Sequence, residues 1–316
     1  MNTTSNTTPF IHAEQYSAFI LRTLHDGFLP TTFYRNVSDF GEGTTLNIKT
    51  IGRATIQEVS EDTALTYEPL ETGNVQLQIT DYVGRAWYVT DILKQDGAQI
   101  EALMAMHGME TTRAIQENFE TRYLAVANAA QIASDLNVIN GQNHRFVASG
   151  TNETIELADF ISMNLAFNKA NAPQAGRIAI VDPVVEATLL SKFNATFQVD
   201  SNPRFQAVME NNFDVNHKFV MNLFGWDIWT SNRLPDVASE TIDSVTVTNG
   251  KANIFMCVVD DQTKPLMIAW RQQPKVEGER NKDRQRDEFV STARWGVGAQ
   301  RVDTLGVILT DAAATS

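Results

Sequence analysis

Cysteine and long apolar runs are scarce in this sequence. Its 316 residues include one cysteine, Cys257, so no intrachain disulfide can form. Cys257 sits in the apolar run 254–259, which predicts a buried strand and a thiol that only fills core space. No run reaches the roughly 18 apolar residues of a membrane-spanning helix, and Met1 to Thr8 lack the basic start and apolar stretch of a signal peptide. We therefore expect a cytoplasmic protein without membrane association.

Basic residues are outnumbered as well. Lysine and arginine total 25 against 38 aspartates and glutamates, and the formal net charge is -13. An acidic surface repels phosphate, so sequence-specific DNA binding is not expected, although a container that encloses DNA without adhering to it could carry this charge. The hydrophobic share of 43% is that of an ordinary globular protein. At this length the chain should form one large domain or two interleaved ones.

The motifs that mark catalytic and metal sites are missing. The five histidines are scattered, and the sequence contains no HExxH, CxxC, GxSxG or P-loop pattern. Gly296-Val297-Gly298 lacks the third glycine of a dinucleotide fingerprint and is better explained as a bulge in a twisted strand. We therefore predict no catalytic, cofactor-binding or metal-binding residues, and no enzyme activity.

The N-terminal quarter of the chain predicts an arm followed by a hairpin. Residues 1–14 are rich in Asn and Thr and have little to bury, whereas Tyr16 to Leu24 could form a short amphipathic helix. From Thr45 apolar residues alternate with polar ones, and the unit 45–90 predicts a long two-stranded hairpin around a polar tip. An isolated hairpin is marginally stable in water, so the chain's own body or a neighbouring subunit must support it.

The strongest helical signal follows Asp96. Apolar residues recur there on one sector of a helix, namely Ile100, Met104, Ile115, Phe119, Val126 and Ala130. A continuous helix from Gln99 to Ala133 would be about 50 Å long, which is a spine rather than a packing element of ordinary length. Gly108 is the expected place for a bend, because glycine costs about 1 kcal/mol inside a helix.

Helices and strands alternate in the following region, and strands dominate the C-terminal part. We predict a helix over 155–170, a buried strand at Arg177 to Val181, and a helix that starts at Asp182-Pro183. The pair Asn249-Gly250 predicts a hairpin turn. The last strands are expected at 265–270, 289–295, 297–302 and 305–309.

A charged stretch at 277–288 combines five acidic and four basic residues. A solvated loop is one interpretation, because exposed ion pairs contribute only ~0–1 kcal/mol each. The other is that alternating signs let identical copies dock around a symmetry axis, each acid meeting a neighbour's base. The sequence leaves both interpretations open.

The order of these elements resembles one family. Shorter similarities accompany it at Ala114 to Glu120 in the spine, Phe224 to Ile228, Ser231 to Pro235, Thr292 to Val297 and Gly176 to Pro183. The family is the major capsid protein of tailed double-stranded DNA bacteriophages, with the Hong Kong ninety-seven or Johnson fold. The resemblance implies an α+β fold with an N-terminal arm (1–44), an extended loop (45–90), a peripheral domain with the spine helix (91–150), an axial domain (151–262) and a return to peripheral strands (263–316).

The resemblance also implies partners and a location. The chain would assemble with itself into pentamers and hexamers, with scaffolding, portal and decoration proteins as further partners, and would enclose DNA in the virion capsid after assembly in the host cytoplasm. The extended loop of such proteins lies across an adjacent subunit. Our hypothesis is that subunit contacts are made by Leu46, Ile48, Val75, Leu77, Ile79, Glu279, Arg280, Asp283, Arg284, Arg286 and Asp287.

Three alternatives fit the sequence less well. An encapsulin-like compartment shell would share the fold but enclose cargo enzymes, so nucleic acid in native particles would distinguish the two. A cytosolic α/β enzyme with an unrecognised site would need one deep polar pocket. A tail tube subunit would not normally combine its hairpins with so long a spine helix.

Overall fold

The computed structural model describes residues 26–311 except 39–42, 53–55, 60, 63, 65, 68, 70–71, 98–99, 133–136 and 197–218. The predicted arm at 1–14 and the predicted short helix from Tyr16 to Leu24 lie outside the described residues, as do several residues of the hairpin tip. Helices and strands are mixed throughout the described part of the chain, as the predicted α+β class requires.

The helices are α1 (Asp91–Asp96), α2 (Ile100–Ala130), α3 (Leu157–Lys169) and α4 (Pro183–Thr196), with 3-10 turns at Thr31–Phe33 and Thr151–Glu153. The strands of the N-terminal half are β1 (Arg35–Asn36), β2 (Thr45–Ile51), β3 (Thr72–Gln78), β4 (Asp81–Thr90), β5 (Val138–Ile139), β6 (Gln142–Asn143) and β7 (Arg145–Val147). Those of the C-terminal half are β8 (Arg177–Val181), β9 (Phe219–Leu223), β10 (Trp226–Thr230), β11 (Asp236–Ile242), β12 (Val245–Cys257), β13 (Leu266–Asn281), β14 (Arg286–Ala299) and β15 (Leu305–Asp311).

The larger sheet has seven strands in the order β7-β15-β12-β8-β10-β9, with β11 paired to β12. Its central strand β8 is buried at all five residues, which explains its uninterrupted apolar sequence. Ala179 and Val181 pack with α3 and α4 on one face, whereas Ile178 and Ile180 pack with α2 on the other. The sheet is therefore the middle layer between helices, and Cys257 lies fully buried within it as predicted.

The smaller sheet has the order β1-β13-β14-β4 and shares a core with α2. The helix buries a residue at nearly every fourth position, from Thr111 through Ile115, Phe119 and Tyr123 to Ala127. The Phe119 ring lies 4.8 Å from that of Trp270 in β13. Because one stripe of α2 packs on both sheets, the helix holds the two sheets together.

The predicted spine helix is confirmed. It was expected from Gln99 to Ala133, and α2 runs for 31 residues, or about 46 Å at the standard rise. Gly108 lies inside it, and the helix continues through this position. The strand at 177–181 and the helix starting at Pro183 are confirmed too, with the Asp182 carboxylate accepting a hydrogen bond of 3.0 Å from the Val184 amide.

The hairpin is shorter than predicted. β2 and β3 pair antiparallel over seven residues each, from Thr45 opposite Gln78 to Ile51 opposite Thr72. Residues 81–90, predicted to belong to this unit, form β4 and pair with β14 instead. The prediction failed there because alternation shows that a segment is a strand but not which strand it pairs with.

The turn predicted at Asn249-Gly250 is wrong. β12 continues through Asn249-Gly250, and the turn before it lies at Asp243 and Ser244, which both have positive φ (49° and 66°). The last strand, β15, was grouped with the peripheral strands of 263–316, but it pairs with β12 and β7 in the seven-stranded sheet. The sheet that contains β8, β10 and β12 thus also includes β7 from an earlier part of the chain and β15 from a later part.

The base of the hairpin is fastened to the chain's own smaller sheet. Leu77 and Ile79 are buried against Met267 and Ala269 of β13, and the Ile79 amide donates to the Thr44 carbonyl at 2.9 Å. Gly296 in β14 permits this contact, because an added Cβ would clash with the Gln78 carbonyl and lie 2.9 Å from the Ile79 Cα. The predicted bulge at 296–298 is wrong, since the register shifts lie in β13 between Trp270 and Lys275. The glycine serves close packing instead.

Replacing Gly296 by Ala should therefore detach or displace the hairpin base. We expect a loss of about 1–3 kcal/mol, the usual cost of forcing extra atoms into a packed contact. Urea unfolding of the unassembled subunit measures this loss of stability. Ala86→Val, on the exposed side of neighbouring β4, is the matched control and should change stability by less than about 0.5 kcal/mol. Equal stability of Gly296→Ala and the parent would contradict the close approach.

His144 is a buried imidazole between β6 and β7. Its Nδ1 lies 3.1 Å from the Leu305 carbonyl, and its ring stacks on Phe167 at 5.5 Å between centroids. Burial lowers the pKa of His144 below its ordinary value, because the charged form loses hydration that the surrounding core does not replace.

This lowered pKa predicts acid sensitivity. The folded state binds the His144 proton more weakly than the unfolded state. The contribution of neutral His144 to the free energy of unfolding is therefore complete above about pH 6.5 and is lost as the pH falls below that value. Urea midpoints of the unassembled subunit should fall between pH 7.5 and pH 5. His144→Phe should reduce the slope in that range, and an unchanged slope would show that other groups cause it.

Candidate subunit-contact surfaces

The distal part of the hairpin exposes apolar side chains. Leu46, Ile48 and Val75 are half-buried on the face that packs toward the smaller sheet. Farther out, the exposed fraction reaches 77% for Ile51 and 98% for both Ile56 and Tyr67. Apolar groups so fully in water contribute nothing to this subunit's own core, so they are candidates for contact with another molecule.

The hairpin is closed beyond its paired strands by an amide side chain. Gln57 donates through Nε2 to the Thr66 carbonyl at 2.9 Å and accepts from the Thr66 amide at 3.1 Å. Asn74 and Asn47 are joined across β2 and β3 by a side-chain hydrogen bond of 3.1 Å. These polar links keep the two arms of the hairpin together where few apolar contacts do so.

The structure changes the role of two predicted contact residues. Leu77 is fully buried and Ile79 nearly so, both in the cluster with Met267 and Ala269. Side chains enclosed by their own chain cannot contact a second subunit, so their part in the hypothesis is corrected to anchoring the hairpin. Leu46, Ile48 and Val75 retain partial exposure and stay as predicted contacts.

The charged stretch is the outer end of the β13–β14 hairpin and not a loop. Glu279 lies opposite Glu288, Arg280 opposite Asp287 and Asn281 opposite Arg286, and the turn comprises Lys282 to Gln285. The Gln285 carbonyl accepts a hydrogen bond of 3.1 Å from the Asp91 amide at the start of α1. This hydrogen bond holds the turn against α1, so the charged side chains of the turn project from an ordered backbone.

An ion-pair network organises this end. Arg280 donates to both Asp91 carboxylate oxygens at 2.9 and 2.7 Å and to Asp287 at 3.3 Å, and Lys94 also pairs with Asp287. The Arg280 hydrogen bond lowers the pKa of Asp91, and the Lys94 hydrogen bond lowers that of Asp287. Arg280 and Asp287 are thus occupied within the subunit, and both carboxylates stay ionised at neutral pH.

The remaining charged candidates divide into two groups. Arg286 lies 4.3 Å above the Tyr88 ring and pairs with Glu288 at 2.6 Å, so it too has partners in its own chain. Glu279, Asp283 and Arg284 have exposed side chains at or beside the turn. Of the six charged candidates, these three are the best placed to meet a neighbouring copy.

Sequence reasoning missed a second charged cluster, at the place where the described chain begins. Arg233, in the turn after β10, pairs with Glu117 and Glu120 of α2 at 3.1 Å each and donates to the Asp26 and Gly27 carbonyls at 3.0 Å. The Phe28 ring lies 5.2 Å from both the Arg113 and the Arg233 guanidinium. Glu117 and Glu120 share a helix face, but nothing in the sequence indicates Arg233 as their partner.

No metal-binding group of three His, Cys, Asp or Glu residues occurs in the described parts of the chain. Within the same residues, none of the helices is both long enough and apolar enough to cross a membrane. A cavity of about 240 Å³ lies between residues 28–34 and α2 and is lined mainly by apolar and aromatic side chains around Glu120.

Comparison with solved structures identifies the fold. The chain superimposes on the capsid of cyanophage P-SCSP1u (TM-score 0.72, 14% identity, 96% of this chain and 93% of that one). It also matches the mature capsid of bacteriophage PhiM1 (TM-score 0.70, 14% identity, 99% and 95%) and the capsid of cyanophage Pam1 (TM-score 0.64, 15% identity, 99% and 100%). The predicted phage capsid fold is confirmed.

Sequence comparison supplies the family. No curated protein is significantly similar to this chain. The family model described as phage capsid protein, however, matches residues 73–310, a range that begins within β3, contains all four described helices and ends within β15. That range covers more than half of the 316 residues. The chain therefore belongs to the phage capsid protein family.

Proposed function

We propose that this chain is the major capsid protein of a tailed phage and that it assembles through pentamers and hexamers into the icosahedral head shell. The family match over residues 73–310 carries the proposal. The exposed apolar residues of the hairpin support it, because Ile51, Ile56 and Tyr67, which are 77–98% exposed, are available to pack against another subunit. The protein acts as a structural subunit and not as an enzyme.

The hairpin and the charged end have different tasks in this proposal. The distal hairpin, from Ile51 outward, lies across an adjacent subunit and buries apolar area there, which contributes affinity. Glu279, Asp283 and Arg284, at or beside the turn, face oppositely charged groups of neighbouring copies, which contributes orientation. Because each subunit both provides and receives these contacts, they can repeat around a closed shell.

The shell encloses the phage genome in the virion and forms in the host cytoplasm. A net charge of -13 suits a container that does not bind DNA tightly. Scaffolding, portal and decoration proteins are the further partners that we propose.

Size-exclusion chromatography with light scattering, followed by negative-stain imaging of the leading peak, tests this function. We expect closed shells or five- and six-membered rings. A uniform monomer or dimer that persists when the cognate scaffolding protein is added would contradict it. Native particles should contain nucleic acid; particles with enclosed enzymes and no nucleic acid would instead show an encapsulin-like shell.

A further inference from the structure

The dipeptide Asn-Gly occurs twice in the chain, at 140–141 and at 249–250. An asparagine in this setting can lose its side-chain amide, because glycine has no Cβ to hinder the approach of its own backbone nitrogen to the asparagine side chain. The glycine nitrogen bonds to the asparagine Cγ, and ammonia leaves with the proton from that nitrogen. Water then opens the resulting succinimide ring to aspartate or isoaspartate. The two sites have the same residue types, so only their surroundings can distinguish them.

Asn140-Gly141 forms the two-residue turn between β5 and β6. Ile139 pairs with Gln142 across it, and the φ values of 49° for Asn140 and 79° for Gly141 are those of a type I′ turn. Both turn residues are exposed. Among the residues that the structure describes, none accepts a hydrogen bond from the Gly141 amide. The nitrogen that must attack is therefore not held by the fold.

The Asn140 side chain is held at the protein surface. Its Nδ2 donates to the Lys169 carbonyl, at the end of α3, at 2.8 Å, and this hydrogen bond is exposed to solvent. Water competes for a bond in such a position, so opening it costs little. The Asn140 carboxamide is thus released often enough to meet the Gly141 nitrogen.

Asn249-Gly250 lies in a different environment, inside β12. Gly250 is buried, and it is paired with Val237 of β11 on one side and with Asp311 of β15 on the other. Moving its nitrogen toward the Asn249 side chain would disturb the backbone ladders on both sides of the strand. The central position of β12 therefore protects this second site.

We propose that Asn140 is a site of spontaneous deamidation in the folded subunit and that Asn249 is not. The product at position 140 carries a carboxylate, which cannot donate to the Lys169 carbonyl. It also places a negative charge beside the C-terminal carbonyls of α3, which already carry partial negative charge. The isoaspartate form adds a backbone atom to a two-residue turn. Deamidation thus weakens the contact between this turn and α3, and it does so in the single subunit, whether or not shells form.

Peptide mapping by mass spectrometry tests this modification site. The full-length, unassembled subunit is incubated in mildly alkaline buffer, and a second sample is incubated in the same buffer with enough urea to unfold it. In the folded sample, we expect the peptide containing Asn140 to gain the mass of one Asn-to-Asp conversion and the peptide containing Asn249 to stay unchanged. In urea both peptides should react, because the protection of Asn249 comes from the fold.

The incubation lasts until both sites have reacted in urea, so that the folded sample gives a clear result. Equal conversion of the two sites in the folded subunit, conversion of Asn249 alone, or no conversion of Asn140 would each overturn the proposal. Asn140→Asp, the direct product, should lower the urea midpoint of unfolding. Asn118→Asp, which adds the same charge at an exposed position of α2, is the matched control and should change the midpoint little. Equal midpoints for Asn140→Asp and the parent would contradict the predicted loss of the contact with α3.

Discussion

Replacing Arg145 by Ala, or Glu240 by Ala, should destabilise the subunit by about 3–5 kcal/mol, because either change leaves a charge buried without its partner. Arg145 of β7 donates from Nε and Nη2 to the two Glu240 oxygens at 2.7 Å each, and its Nη1 donates to Asn128 of α2 at 2.9 Å. The side chains are only 1% and 5% exposed. Urea unfolding of the unassembled subunit, followed by tryptophan fluorescence, measures the effect.

Two controls separate the cost of a broken buried pair from that of a lost charge. Lys275→Ala removes one partner of an exposed pair with Glu277, 71% and 67% accessible, and should cost less than about 1 kcal/mol. The double change Arg145→Met with Glu240→Leu removes both charges and should recover most of the lost stability. If the single variants unfold at the same urea concentration as the parent, the pair does not hold β7, β11 and α2 together.

Replacing both Arg284 and Arg286 by Glu should prevent shell assembly and leave a folded subunit. The charged stretch 277–288 would lose two of its four basic residues and gain two acids. Acids would then meet acids between copies, and like charges in contact cost several kcal/mol per interface. Within the subunit, Arg286 loses its ion pair with Glu288 and its contact with Tyr88, about 1 kcal/mol each. The new carboxylate at position 286 also repels Glu288, which adds a cost of similar size. Negative-stain imaging and light scattering report assembly, and circular dichroism reports folding.

A charge-matched variant is available elsewhere on the surface. Arg122 and Lys169 are exposed, and neither belongs to the β13–β14 hairpin. Changing both to Glu alters the net charge by the same amount as changing Arg284 and Arg286 to Glu. We expect this control to assemble. Intact shells from the Arg284 and Arg286 variant would show that the charged end is a solvated surface. Failure of both variants would point to net charge and not to a specific contact.

Local patterns predicted the elements whose own residues carry a clear signal. The strand at 177–181 was recognisable because all of its residues are buried. The start of α4 was recognisable because Asp182 caps it and proline suits the first turn. The long α2 followed from apolar residues recurring on one side, although its most buried residues include Thr111 and Glu120, which no hydrophobic pattern would select.

Errors arose where pairing partners lie far apart in the chain. Asn249-Gly250 has the composition of a turn, yet β12 continues through it because β11 and β15 pair with that strand on both sides. The predicted contact residues Leu77 and Ile79 show the same alternation as Ile48, but only the position of β13 decides that they are buried. The glycines at 296 and 298 were assigned to a bulge because the hairpin base that packs on them is more than 200 residues away.

By itself, the sequence determined the α+β class, the long helix, the absence of recognisable catalytic motifs and, through the order of elements, the resemblance to phage capsid proteins. Each of these depends on local periodicity or on residue types, which the chain carries before it folds. The tertiary structure alone decided which strands pair and which hairpin residues are exposed to solvent. It also decided that Arg145 pairs with Glu240 and that Arg233 pairs with the acidic residues of α2. Those results depend on contacts between distant segments, whose energies no local pattern records.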